Sequence, residues 1–197
     1  VRWIHEAAEL GARRLGHALA LGMDPEVAVA RRPGAHEAEP AGERIDQIRY
    51  DLQHAAMLNA VGVEVDEKKL NLELEELSRH APSTPVARPY SMERLEAIRR
   101  RQEAVLKRLV QLGTVIESCP TSNLRIASLP SAAAHPLARF LEAGVRVAIG
   151  ADDPGIFDVT LGSEIDWALE HSGIDATRLL ELLEDPRQYR LGDLRVN

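Results

Sequence analysis

The chain has 197 residues, 45% of them hydrophobic, a formal net charge of −7 and one cysteine, Cys119. That length suits one ordinary domain with its own core, or part of a larger one. No apolar stretch nears the ~18 residues of a membrane span, VRWIHEAAE lacks the apolar core of a secretory signal, and the acidic balance argues against general nucleic-acid binding. A single cysteine excludes an internal disulfide framework and fits a reducing compartment. The expectation is a soluble, cytoplasmic protein with no membrane partner.

In chain order, Ile4, Ala7, Ala8 and Leu10 fall near helical periodicity and Gly11 is a stop signal. A chain that enters a helix directly from Val1 suggests a fragment or a processed chain. RRLGHAL (13–19) then reads as a strand, and RRPGAHEAEPAGE (31–43) as an exposed loop. A helix is predicted over 44–60 from Ile45, Ile48, Leu52, Ala55, Ala56 and Leu58. A second runs over 66–80, capped by Asp66, with Leu70, Leu74 and Leu77 on one face. APSTPVARP (81–89) reads as a linker. Ser91 can cap a longer helix to residue 112, with Leu95, Ile98, Val105, Leu106 and Leu109 inward. Arg94, Arg99, Arg100, Arg101, Lys107 and Arg108 make that helix basic. Such a face suits nucleotide phosphates, RNA or an acidic partner subunit, but a solvated surface with pairs such as Glu96–Arg100 is the plainer reading.

The last stretch alternates. TVIES (114–118) is a strand after Gly113; PLARFLEAG (136–144) is a helix with Leu137, Phe140 and Leu141 inward, ended by Gly144; 145–151 is a strand again. Two helices, 162–172 and 175–184, follow Pro154, the second capped by Asp175. Helices that stop at glycine before short aliphatic strands imply an α/β fold with a parallel sheet. Each strand ends in polar residues: His17, then SCPTSN, then ADDPG. Sites in such folds form at those ends. The adjacent carboxylates Asp152 and Asp153 repel each other, so they need open water or a cation. Taken alone, the doublet before Pro154 reads as a turn, and His17 as a structural histidine. Cys119 reads as a small buried apolar residue. Ser122 and Asn123 read as shaping the turn after the second strand, with a substrate-side role left open. One cysteine excludes a cytidine-deaminase type of cysteine-ligated zinc site.

RLGHALALG (14–22), ESCPTSNLRI (117–126), HPLARFLEAGVRVAIGADDPGIF (135–157) and TLGSEI (160–165) occur in this order. Together they closely resemble the last third of adenosine deaminases, metal-dependent members of the amidohydrolase superfamily. The resemblance covers about 1–30 and 112–190 and is most specific over 114–165. It implies the sixth to eighth strands of a (β/α)8 TIM-type barrel, formed by 1–30 and 112–197, with 31–111 as a helical insertion. Long insertions of this kind occur in deaminase subunits of bacterial anti-phage defence systems, and GHALALG looks more like those. By the same resemblance Asp152 is a Zn2+ ligand, Asp153 accepts a hydrogen bond from the purine, and His17 is the histidine beside the metal-bound water. The implied reaction replaces the 6-amino group of a purine nucleoside or nucleotide with a carbonyl.

The family's early His-x-His pair and its His-Ala-Gly-Glu motif have no match here, and His5, His36, His54, His80, His135 and His171 do not fall at ligand positions. Ala18 and Ala151 replace the usual glycine and Ser/Thr of the motifs. A catalytic zinc site normally takes three protein ligands and a water. The remaining ligands are therefore expected upstream, and the isolated chain is expected to be inactive. A three-stranded parallel piece would also leave two open edges. Its expected partner is the missing N-terminal half of the barrel or another chain, with a homo-oligomer left open. The alternative is a non-catalytic deaminase-like module that serves assembly through the insertion.

Overall fold

The computed structural model describes residues 1–30, 38–173 and 175–184. Contacts divide the chain into two compact units. One holds residues 1, 3–23 and the described chain from 105 onward; the other holds residues 2 and 24–104. The first opens with α1 (Arg2–Glu9, all but its first residue), β1 (Arg14–Gly16) and α2 (Leu19–Gly22). The second comprises α3 (Pro25–Ala30), β2 (Ala38–Pro40), α4 (Ala41–Gln53), α5 (Ala55–Ala60), α6 (Glu67–Leu77), β3 (Pro85–Ala87) and α7 (Met92–Leu112), whose residues from 105 count with the first. The first unit resumes with β4 (Val115–Ser118), α8 (Pro120–Ile126), a 3-10 turn (Ala132–Ala134), α9 (Leu137–Glu142), β5 (Arg146–Ile149), α10 (Pro154–Phe157), α11 (Leu161–His171) and α12 (Ala176–Glu184).

In the first unit β1, β4 and β5 form a parallel sheet in that order, with Leu15 opposite Ile116 and Ile116 opposite Val147. α7 ends at Gly113 and α9 at Gly144, both left-handed at φ +67° and +77°, which glycine adopts without a Cβ clash. Thr114 N–H then donates to Leu109 O and Val145 N–H to Phe140 O, each over 3.0 Å. These bonds satisfy the last helical carbonyls and turn the chain into the next strand. Val115, Ile116, Val147, Ala148 and Ile149 are buried, as strands covered by helices require. Ile116, Val147 and Ile149 share a core with Leu21, Val105, Leu109, Leu137, Phe140, Ala168 and Leu179, where each large side chain contributes about 1.5–3 kcal/mol. A Cβ at Gly22 would lie 2.3 Å from Pro136 Cβ and 2.7 Å from Phe140 Cε1, so the close approach of α2 to the start of α9 requires glycine there.

The second unit packs Ala41 and Ile48 of α4 against Leu77 of α6, with Tyr50, Leu58, Val63 and Val65 in a second cluster. Charge pairs bind it together. Arg101 gives Asp51 two bonds of 2.7 and 2.9 Å, and Arg44 gives Glu73 two of 2.5 and 2.6 Å. Arg99 bonds Asp24 and Glu26, Arg94 bonds Glu39, and Arg100 bonds Glu96 over 3.1 Å. Glu96–Arg100 is the expected i,i+4 surface pair, but Arg94 and Arg101, with side chains 16% exposed, bind carboxylates of other elements, which corrects the reading of a wholly solvated face.

Several local expectations need correction. Strand 13–19 shrinks to Arg14–Gly16, because His17 and Ala18 turn left-handed at φ +58° and +46° and lead into α2. Strand 145–151 likewise shrinks to Arg146–Ile149. The helix over 44–60 is two helices that meet at His54, whose ring Nδ1 lies 2.9 Å from the Tyr50 carbonyl. The loop 31–43 and the linker 81–89 hide a pairing: β2 and β3 run antiparallel, Glu39 opposite Val86. Residues 31–37 lie outside the described part. SCPTSN is not merely a turn, since Pro120 starts α8. The caps at Asp66, Ser91 and Asp175 are borne out, accepting from the N–H groups of Lys69, Arg94 and Arg178 over 3.0, 3.2 and 3.2 Å.

Candidate active site at the carboxyl ends of the parallel strands

Each parallel strand ends in an abrupt turn. Among the described residues five non-glycine positions have positive φ, and three stand here: His17, Ala18 and Asp152 at +58°, +46° and +56°. Such backbone costs of order 1–3 kcal/mol per residue and persists only where the surroundings hold it. β1 delivers His17, and β5 delivers Asp152 two residues past Gly150. α8, directly after β4, delivers Ser122 and Asn123. Ser122 Oγ donates to Asp152 Oδ2 over 2.5 Å. His17 Nε2 lies 3.9 Å from the same oxygen. His17 Nδ1 lies 2.6 Å from Asn123 Oδ1, and Asn123 Nδ2 lies 3.0 Å from Nε2 of the buried His135.

Two further groups hold this arrangement. Glu164 of α11, 1% exposed, accepts from the Thr121 backbone N–H over 2.9 Å and from Thr121 Oγ1 over 2.5 Å. A carboxylate at the start of α8 satisfies free N–H groups and complements the helix dipole, and so fixes the helix that carries Ser122 and Asn123. Arg14 ties β1 to β4 through Glu117, Nε to Oε2 over 2.7 Å. A Cβ at Gly150 would come within 3.1 Å of Glu117 Oε1 and 3.2 Å of Cys119 Sγ, so the β5 backbone lies close against these side chains.

Burial pushes the Cys119 thiol up to about 11, helped by the negative charges of Glu117 and Asp152. A thiol so rarely ionised is no nucleophile at neutral pH, in line with the sequence reading. Burial pushes His135 the other way, down to about 4.

Residues 92–186, just under half of the chain, match the family described as adenosine deaminase. This segment belongs to the adenosine deaminase family. Curated relatives named adenine deaminase match part of the chain as well. That of Rhizobium leguminosarum bv. trifolii is 49% identical over 69 residues, which are 35% of this chain and 21% of the relative. Those of Agrobacterium fabrum and Rhizobium meliloti are 43% and 40% identical over 72 and 75 residues, 36% and 38% of this chain and 22% and 23% of the relatives. The matched stretch thus spans between a fifth and a quarter of each of these deaminases.

The deaminase segment contains Asp152, Asp153, Ser122, Asn123, His135 and Glu164, whereas His17 lies before it. The structure brings His17 and Asp152 together. It does not bring Asp153 into the same bonds: that carboxylate is exposed at the N-cap of α10 and makes no capping bond. Ser122 and Asn123 gain definite partners that the turn reading did not assign. The sequence reading gives Glu164 no role and His135 only a place off the ligand positions, although they lie inside the motifs TLGSEI and HPLARF. A buried carboxylate and a buried imidazole look in sequence like surface residues; the signal was their place inside those motifs.

The family is generally metal-dependent. The donors within reach of one another here are the Asp152 carboxylate and the His17 imidazole, both of kinds that zinc accepts. Among the described residues no group of three or more His, Cys, Asp or Glu side chains could hold a metal ion. These residues alone do not complete a metal site. No helix among the described residues is long and apolar enough to cross a membrane.

Proposed function

We propose that this chain is the C-terminal part of a zinc-dependent aminohydrolase that removes the 6-amino group of an adenine-type purine as ammonia. The observation that carries this reading is the meeting of His17 and Asp152, 3.9 Å apart on left-handed backbone at the carboxyl ends of parallel strands. In this reading β1, β4 and β5 are strands six to eight of the family's barrel, and 31–111 is an insertion into it. Among the described residues β1 and β5 are each paired on one side only, which supports a larger sheet. Asp152 is one zinc ligand, with the others contributed from beyond this sequence. Zinc, when bound, supplies an activated water near neutral pH. Asp152 would keep its orientation through the Ser122 hydroxyl, His17 would hold a proton beside it, and the exposed Asp153 would accept a hydrogen bond from the base. The relatives' name favours adenine itself; the wider family resemblance favours its nucleosides and nucleotides.

The experiment uses the full-length protein, purified without chelator. About one zinc per chain and ammonia release from adenine, adenosine or adenosine monophosphate are expected, and the three rates rank the substrates. A metal-free protein that releases ammonia from none of them would leave the non-catalytic assembly module in its place.

A further inference from the structure

The polar network behind His17 has a direction, and its heavy atoms determine it. The Leu137 backbone N–H donates to Nδ1 of His135 over 3.1 Å, so that nitrogen holds a lone pair. Burial keeps this imidazole neutral at physiological pH. A neutral ring with a bare Nδ1 carries its proton on Nε2. Nε2 faces the Asn123 side-chain amide at 3.0 Å. With the amide NH2 on that side, two donors would confront each other. Asn123 is 2% exposed and His135 6%, where an unmade hydrogen bond costs about 1–3 kcal/mol. A half-turn of the amide resolves the conflict, because its two ends are alike in shape. The carbonyl oxygen then accepts from His135 Nε2–H, and the NH2 donates to Nδ1 of His17. An N–H···N bond favours about 3.0 Å, so the 2.6 Å separation between Asn123 and His17 opens by a few tenths of an ångström. The His17 proton is left on Nε2, the nitrogen 3.9 Å from Asp152 Oδ2.

We propose that Asn123 and His135 are positioning residues that hold the His17 imidazole as its Nε2–H tautomer, in a sense set by the Leu137 backbone amide. The purpose of the relay rests on the deaminase reading; its existence does not. An Nε2–H offers a hydrogen bond to an oxygen beside Asp152 and cannot coordinate a metal through that nitrogen. His17 is then a donor at the site and no ligand.

The test is long-range proton–nitrogen NMR on the full-length protein, labelled at histidine and held at pH 8. Spectra of His17→Gln and His135→Gln assign the two rings. Both rings are expected to show a protonated Nε2 and a bare Nδ1. Asn123→Asp has the same size and no donor, so it is expected to move the His17 proton to Nδ1 while His135 stays Nε2–H. A His17 ring protonated at Nδ1 in the unaltered protein overturns the relay, as does a tautomer that ignores Asn123→Asp. If that variant fails to fold, the unaltered spectrum still decides. Ammonia release from adenine on the same sample separates the two ideas. No release with an Nε2–H ring counts against the deaminase alone, and release with an Nδ1–H ring against the relay alone.

Discussion

In the 24–104 unit, Asp51 and Glu73 each take two bonds from one guanidinium, of Arg101 and Arg44. At the strand ends of the other unit, Asp152 and Glu164 take theirs from hydroxyls and a backbone amide. A guanidinium cancels the charge it binds: the Arg44 hydrogen bond holds the Glu73 carboxyl below the usual carboxylate range. A hydroxyl orients a carboxylate without bringing a compensating charge, and that is how Ser122 holds Asp152. The strain is placed the same way, with left-handed non-glycine residues at the strand ends. Paired charge on relaxed helices marks a scaffold; oriented but uncancelled charge on strained backbone marks a site.

The contrast can be broken by substituting one residue at a time. Asp152→Asn keeps the size and tolerates left-handed backbone but loses the charge. Ammonia release from the full-length protein is expected to fall by about 1000-fold or more, with a melting temperature within about 2 °C of the parent. A variant that stays active would return Asp152 to the role of a turn residue.

Asp51→Ala should do the reverse. It leaves Arg101 partly buried without its carboxylate, a loss of about 3–5 kcal/mol in urea unfolding, while the turnover of folded molecules is kept. A loss below about 1 kcal/mol would show that this pair is solvated after all.

Acid sharpens the picture at His135. Its folded pKa of about 4 lies below the ordinary 6.5, so the unfolded chain takes up the proton first as pH falls. The stability it contributes is fully present above 6.5 and drains away toward pH 4, on the order of 3 kcal/mol in total. His135→Gln is expected to flatten the unfolding free energy across that window. An equally steep curve in the variant would assign the acid sensitivity to other groups.

The smallest effect is at the start of α11. Thr160 and Ser163 form a reciprocal cap, Ser163 N–H to Thr160 Oγ1 over 3.1 Å and Thr160 N–H to Ser163 Oγ over 3.0 Å. Thr160→Ala should cost about 1 kcal/mol, seen as a shift of about 2–4 °C in melting temperature. Because α11 carries Glu164, activity should follow only if that helix start frays.

Local chemistry was enough for helices whose stops and caps lie next to them in the chain. Gly113 and Gly144 end their helices, and Asp66, Ser91 and Asp175 cap theirs, because each acts within a few residues of itself. The aliphatic strands β4 and β5 were legible for the same reason, as was the placing of His17 and Asp152 at strand ends. The pairing of β2 with β3 was not, because Glu39 meets Val86 across 47 positions of chain and both segments look like loops on composition alone. Glu164 under α8 and the imidazole of His135 behind Asn123 were invisible likewise, since burial is a property of what surrounds a residue and not of its type. The sequence by itself therefore determined the alternation of helix and strand, the polar strand ends and the family motifs, all properties of short range. Only the tertiary structure decided which polar group faces which, because the hydrogen bonds of a buried network depend on approaches of an ångström or less between segments distant in the chain.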